Sequence, residues 1–117
     1  MSPIQTAALL VTLLSEAGGM ILYSTLRRPR TLSRWRVVAV VLGVNLMTHP
    51  LFWATFPLIG LPFLPSLYLA EVIVAITEGS VYRYLCRFGW IEAIGLGLAL
   101  NAFSTALGIF FWQVWLV

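Results

Sequence analysis

The sequence predicts an all-α membrane protein: a compact bundle of four transmembrane helices, built as two tandem helical hairpins related by pseudo-twofold symmetry. Three observations carry that expectation. Of the 117 residues, 61% are hydrophobic and only 9% charged, with a mean hydropathy of +0.96; this leaves too little polar surface for a small soluble domain. The apolar residues gather into four runs, 4–26, 37–56, 63–82 and 90–117. Each is near the roughly 20 residues that cross about 30 Å of hydrocarbon as a helix. Finally, the same polar residues recur in the same order in each half of the chain. Sustained runs rather than short alternating segments argue against a membrane β-barrel. The whole chain reads as one domain.

The first run, 4–26, starts from the uncharged "MSPIQTAALL" and is interrupted by Glu16. It lacks the basic start of a secretory signal, so it is expected to be retained as a span. "RRPRTLSRWR" follows at 27–36, with Arg27, Arg28, Arg30, Arg34 and Arg36. The second run carries "NLMTHP" (45–50), in which Asn45, Thr48 and the single His49 precede Pro50. Proline deprives the Leu46 carbonyl of its helical donor, and Thr48, His49 or water is expected to take that acceptor. "FPLIGLPFLP" (56–65) is uncharged and reads as a tight apolar turn, with a short re-entrant loop as the alternative. The third run carries Glu71 and Glu78 and ends on Tyr82, Arg83 and Tyr84; Arg87 follows, and the fourth run carries Asn101 and Ser104.

Charge sets the expected orientation. All the arginines lie in the first and third connections, which the positive-inside rule places in the cytoplasm, with both termini outside. Trp35 and Trp90 fall at the inner boundary, and Trp53, Trp112 and Trp115 near the outer one. A bacterial inner membrane is the expected location. The +3 net charge is thereby explained by orientation and lipid headgroups, so nucleic acid is not expected as a partner. The single Cys86 rules out an intrachain disulfide and a cysteine-only metal site.

"LSEAGG" (14–19) resembles "ITEGSV" (76–81), and "NLMTH" (45–49) resembles "NAFST" (101–105). Glu16 thus matches Glu78, Asn45 matches Asn101, and Thr48 matches Ser104, although the spacers differ in length. Both hairpins begin on the same side, which predicts parallel repeats about an axis along the membrane normal. At 1.5 Å per residue, Glu16 falls about 16 Å from Arg27, and Asn45, Glu78 and Asn101 about 14 Å from Arg36, Arg87 and Glu92, in one midplane layer. Thr48, His49 and Ser104 lie about one turn further out. Glu71, on nearly the same helix face as Glu78, lies further out still.

A charged carboxylate at that depth costs about 2.5–3.5 kcal/mol, so it must face the bundle, find a partner or hold a proton. Glu–Asn pairing within each hairpin would satisfy both groups. Small residues beside the layer (Ala17, Gly18, Gly19, Gly79, Ser80, Gly95, Ala99, Ala102, Ala106) are expected to allow close packing. The plain reading of the layer is interhelical hydrogen-bond glue. The sharper one is a proton, cation or small-solute site with Glu16, Asn45, Thr48, His49, Glu71, Glu78, Asn101 and Ser104 as candidates. His49 as ligand to a metal or pigment, and a Ser104–His49–Glu nucleophilic set, are weaker alternatives with no supporting motif. No catalytic residue, no cofactor and no metal site is assigned. The expected function is proton- or cation-linked transport or permeation. The alternative is a non-catalytic accessory subunit of a larger membrane complex. Besides the lipid bilayer, the expected partners are further copies of the chain or such a complex.

Overall fold

The structure, a computed structural model, describes residues 2–27 and 33–115, without the side chains of Trp112, Val114 and Trp115. Four helices, α1 (Pro3–Leu26), α2 (Arg34–Thr55), α3 (Phe63–Leu85) and α4 (Trp90–Trp115), account for nearly all of it, with no strand among the described residues. All four are long and apolar enough to cross a membrane. The expected runs fall on these helices with ends shifted by up to three residues, the boundary caps being what hydropathy alone does not show. Arg28 and Arg30 lie outside the described residues, as do the side chains of Trp112 and Trp115.

Each helix start has a local cause. Ser2 caps α1: its hydroxyl accepts from the Gln5 backbone N–H, the Gln5 side chain accepts from the Ser2 N–H (both 3.2 Å), and Pro3 follows at the first helical position. Ser33 caps α2 by accepting from the Arg36 N–H. Pro50 sits within α2 without ending it. Thr48 and His49, expected to compensate the freed Leu46 carbonyl, direct their hydrogen bonds elsewhere. Between α2 and α3 the chain makes a one-turn 3₁₀ helix, Phe56–Leu58, and then turns at Gly60, whose φ of 76° favours glycine. It is a tight turn and not a re-entrant loop.

The helices form a ring in which α1 packs on α2 and α4, and α3 packs on α4 and α2. Backbones across the diagonals do not approach one another, so α1 and α3 meet only through side chains on the axis. The long dimension is 42 Å, close to the thickness of a bilayer with its headgroups, about 40–45 Å. Large apolar side chains cover the outside, among them Leu14, Met47 and Ile91, whereas the buried core is small.

The main cluster of that core fills one half of the bundle, and in the other half Leu9 and Ala70 are buried outside it. Met20, Val37, Val41, Tyr82, Cys86, Phe88, Ala93 and Leu96 pack together toward the end that bears the 27–33 and 86–89 connections. A clamp closes this end. Arg27 donates from Nε and Nη2 to the two oxygens of Glu92 (2.7 and 3.0 Å), and the Tyr23 hydroxyl donates to the same carboxylate. Phe88 lies under the guanidinium at 4.9 Å and edge-on to Tyr23. The paired fork geometry makes this a stronger contact than an ordinary surface ion pair.

α3 and α4 share the most extensive interface, and glycines set it. A Cβ on Gly79 would stand 2.9 Å from the Ala93 carbonyl, and one on Gly97 would overlap the Ala75 carbonyl outright. The expected close-packing residues are therefore corrected in part. Gly79 serves, but Gly95, Ala99, Ala102 and Ala106 are exposed, on the opposite side of α4. Gly18 is exposed as well, while Gly19 meets only the tip of Leu100. Ser80 spends its hydroxyl on its own helix, at Ile76 O. Gly97→Ala is predicted to force α3 and α4 apart and cost about 1–3 kcal/mol, whereas Gly95→Ala, which meets nothing, is neutral or slightly stabilising. Thermal unfolding of both variants in mild detergent checks this; equal midpoints would refute the close approach.

Candidate functional site

The polar layer lies where the packed half of the bundle ends. Glu16 and Glu78 are fully buried, on diagonally opposite helices, and Asn45 and Asn101 are buried on the other diagonal. Helical periodicity explains the placement. On α2 the buried positions 37, 41, 44, 45 and 48 define one inward stripe. On α4 positions 93, 97, 100, 101 and 104 do the same. Each Asn uses one amide proton to donate to the carbonyl four residues back in its own helix, Asn45 to Val41 and Asn101 to Gly97, both at 2.9 Å.

Glu78 is the centre of the layer. Its Oε1 accepts from the Thr48 hydroxyl of α2 and its Oε2 from the Asn101 amide of α4, both at 2.8 Å. One carboxyl thus ties three helices together. The expected Glu–Asn pair therefore forms in the second hairpin. It does not form in the first. Neither oxygen of Glu16 has a hydrogen-bond partner among the described residues. The polar side chains near enough to act on Glu16 are Glu78, Asn45 and, more remotely, Glu71. Asn45 faces it without closing a bond, so the two halves of the layer differ in their wiring.

Above the layer, toward the 56–62 turn, the bundle is hollow. A cavity of about 850 Å³ runs between all four helices. Its floor is Asn45, Thr48, Glu78 and Asn101, with Ser104 beside them. Glu71 and His49 stand on the walls, with Thr105 next to Glu71. Apart from Thr12 and Gln113 the rest of the wall is apolar, with Phe52, Trp53, Phe63 and Phe111 as its aromatic part. α2 and α3 pack against each other least of the four neighbouring pairs, which leaves this space open.

The structure thus brings seven of the eight candidates around one cavity. Glu16, the eighth, lies behind the floor and does not line it. His49 is half-buried, and its Nε2 accepts from the Trp53 indole N–H at 3.0 Å. Ser104 donates to the Asn101 carbonyl at 3.1 Å. Ser104 and His49 therefore do not pair with each other as nucleophile and base. Among the described residues no three His, Cys or acidic side chains gather as a metal site.

Sequence reasoning missed two participants. Tyr82 is fully buried one turn below Glu78, within electrostatic reach of both carboxyls, and its hydroxyl has no partner among the described residues. Its spacing of four from Glu78 was the available signal, but it reads equally as an interfacial tyrosine. Trp53, read as a boundary anchor, turns inward to His49, again at a spacing of four. Compared with known protein families, curated proteins and solved structures, the chain matches none.

The hydrogen bonds to Glu78 predict a stability order. Asn101→Ala strands one oxygen of a fully buried carboxyl and is expected to cost about 1–3 kcal/mol, as is Thr48→Val. Ser104→Ala removes only a bond within its own helix and is expected to cost less. Denaturation followed by circular dichroism in mild detergent reads the order; Asn101→Ala as stable as Ser104→Ala would contradict the network.

Proposed function

We propose that this chain is a small transport-type membrane protein in which the midplane Glu/Asn layer binds a proton, a cation or a small solute. The observation that carries this reading is the cavity, about 850 Å³ in volume, that ends on Asn45, Thr48, Glu78 and Asn101. A bundle whose polar layer served only as glue would be expected to pack on both sides of it. Here one side is solid and the other hollow. Buried acids at that depth commonly mark ion paths.

In this reading the Arg-rich connections at 27–36 and 83–87 face the cytoplasm, in a bacterial inner membrane, and the cavity opens to the outside. The packed half, with the Arg27–Glu92 clamp, is the closed side of an alternating-access cycle. The chain arose as a tandem repeat of two parallel hairpins. The matching inward stripes of α2 and α4 and the matching Asn-to-carbonyl bonds support that duplication. Further copies of the chain supply the rest of any continuous path, since four helices leave little room for a pore.

Reconstitution into liposomes tests the proposal. Proton flux is followed with an internal pH dye under an imposed potential, with sodium and potassium gradients in parallel. Glu16→Gln and Glu78→Gln are expected to keep the helical fold and abolish flux. Flux retained in both variants would sink the reading.

One observation favours a second reading. Both oxygens of Glu78 already have internal donors, as structural glue requires. The chain would then be a non-catalytic accessory subunit of a larger membrane complex. Native mass spectrometry of the protein purified from its own membranes separates the two. A monomer or homo-oligomer is expected for transport, and stoichiometric larger partners for the subunit.

A further inference from the structure

We propose that the cavity binds a hydrophobic organic cation, an amine or quaternary onium with an apolar body, whose charge is taken by Glu78. The inference names the substrate class of the site above, and it rests on that reading for access to the cavity from outside the bundle.

The charge balance of the cavity comes first. Glu78 forms part of its floor and Glu71 stands two helical turns above on the same face of α3. Glu16 sits behind the floor, fully enclosed, and neither oxygen has a hydrogen-bond partner among the described residues. Against these three acids no arginine among the described residues lines the cavity. The described arginines lie toward the opposite end of the bundle, at Arg27, Arg34, Arg36, Arg83 and Arg87. An ionised carboxyl in such surroundings lacks a counter-charge, and a buried charge is stable only when paired. Such an acid either holds a proton or meets a positive charge. His49 is the one basic side chain on the wall among the described residues, and its Nε2 accepts from Trp53. A cationic occupant is therefore the partner that would complete the ionised form.

The walls decide what kind of cation. A bare metal ion of the calcium type asks for six to eight oxygen ligands. The cavity offers few, because its two acids, Glu78 and Glu71, stand two turns apart and no three-residue metal cluster is present among the described residues. Most of the lining is apolar instead, and the volume falls in the range of about 300–1,000 Å³ typical of small-molecule sites. Phe52, Trp53 and Phe63 place aromatic faces around the upper cavity, where a desolvated organic cation gains cation–π attraction. An anion of the same shape would meet the acids without compensating arginines. The layout therefore pairs an apolar, aromatic chamber with an acidic end.

The test uses the full chain in a neutral detergent and tetraphenylphosphonium as the probe, followed by equilibrium binding. Saturable binding is expected at no more than one probe per chain. Glu78→Gln is expected to weaken it about 10- to 100-fold, the loss of a charge-assisted contact. Trp53→Leu is expected to weaken it about 2- to 5-fold. Tetraphenylborate, equal in shape and opposite in charge, should not compete. Absence of saturable phosphonium binding, or equal competition by the borate, overturns the proposal. Should Glu78→Gln fail to fold, Glu71→Gln, at a half-buried wall position, replaces it with a smaller expected loss; binding unchanged in whichever variant folds overturns the proposal. Liposome flux separates the two readings. Probe binding without proton, sodium or potassium flux supports the site and refutes transport of those ions, whereas such flux without probe binding overturns the site and leaves ion transport standing.

Discussion

One buried carboxyl holds this bundle together. Glu78 lies on the axis, and its two oxygens accept from α2 through Thr48 and from α4 through Asn101. Glu78, Thr48 and Asn101 are all buried, so loss of a donor leaves a buried acceptor without its partner. Helices in lipid gain little from burying apolar side chains against each other, because the tails are equally apolar. Register and rotation must then come from polar contacts and from shape. The Glu78 network supplies the first, and the Gly79–Gly97 approach supplies the second on the same pair of helices.

From that anchor the bundle divides into two unlike halves. Below the layer, bulky side chains such as Met20, Tyr82 and Phe88 interdigitate, and the Arg27–Glu92–Tyr23 clamp fastens α1 to α4. Above it, α2 and α3 pack least closely, and the side chains from the four helices line a cavity rather than fill it. The same four helices thus give a plug and a chamber. The boundary between them is the layer of buried acids and amides, which is where a chamber with a chemically distinct floor is useful.

The asymmetry of the layer has equal weight. Glu16 and Glu78 occupy matching places in the two hairpins, and both are fully enclosed. Only Glu78 is satisfied. Asn101 has both amide protons engaged, one on Glu78 and one on the Gly97 carbonyl, whereas Asn45 donates to Val41 alone. The Tyr82 hydroxyl, within electrostatic reach of both acids, likewise has no hydrogen-bond partner among the described residues.

The sequence by itself determined the four helices, because length and apolar composition suffice once the solvent is hydrocarbon. It also picked out the buried acids and amides, since Glu16, Asn45, Glu78 and Asn101 all turn inward, whereas Thr77 beside Glu78 is exposed and bonds its own helix at Ile73 O. The turn at 56–62 was legible from its prolines and Gly60. Which small residues touch was decided only in three dimensions. Gly95 and Gly97 are equivalent as letters, yet the rotation of α4 buries one and exposes the other. Nor did spacing alone reveal that Thr48 bonds Glu78 instead of repairing the proline gap, or that Asn45 leaves Glu16 unpaired. The cavity was illegible for a deeper reason. A void is a property of how four surfaces fail to meet, and no single helix carries it.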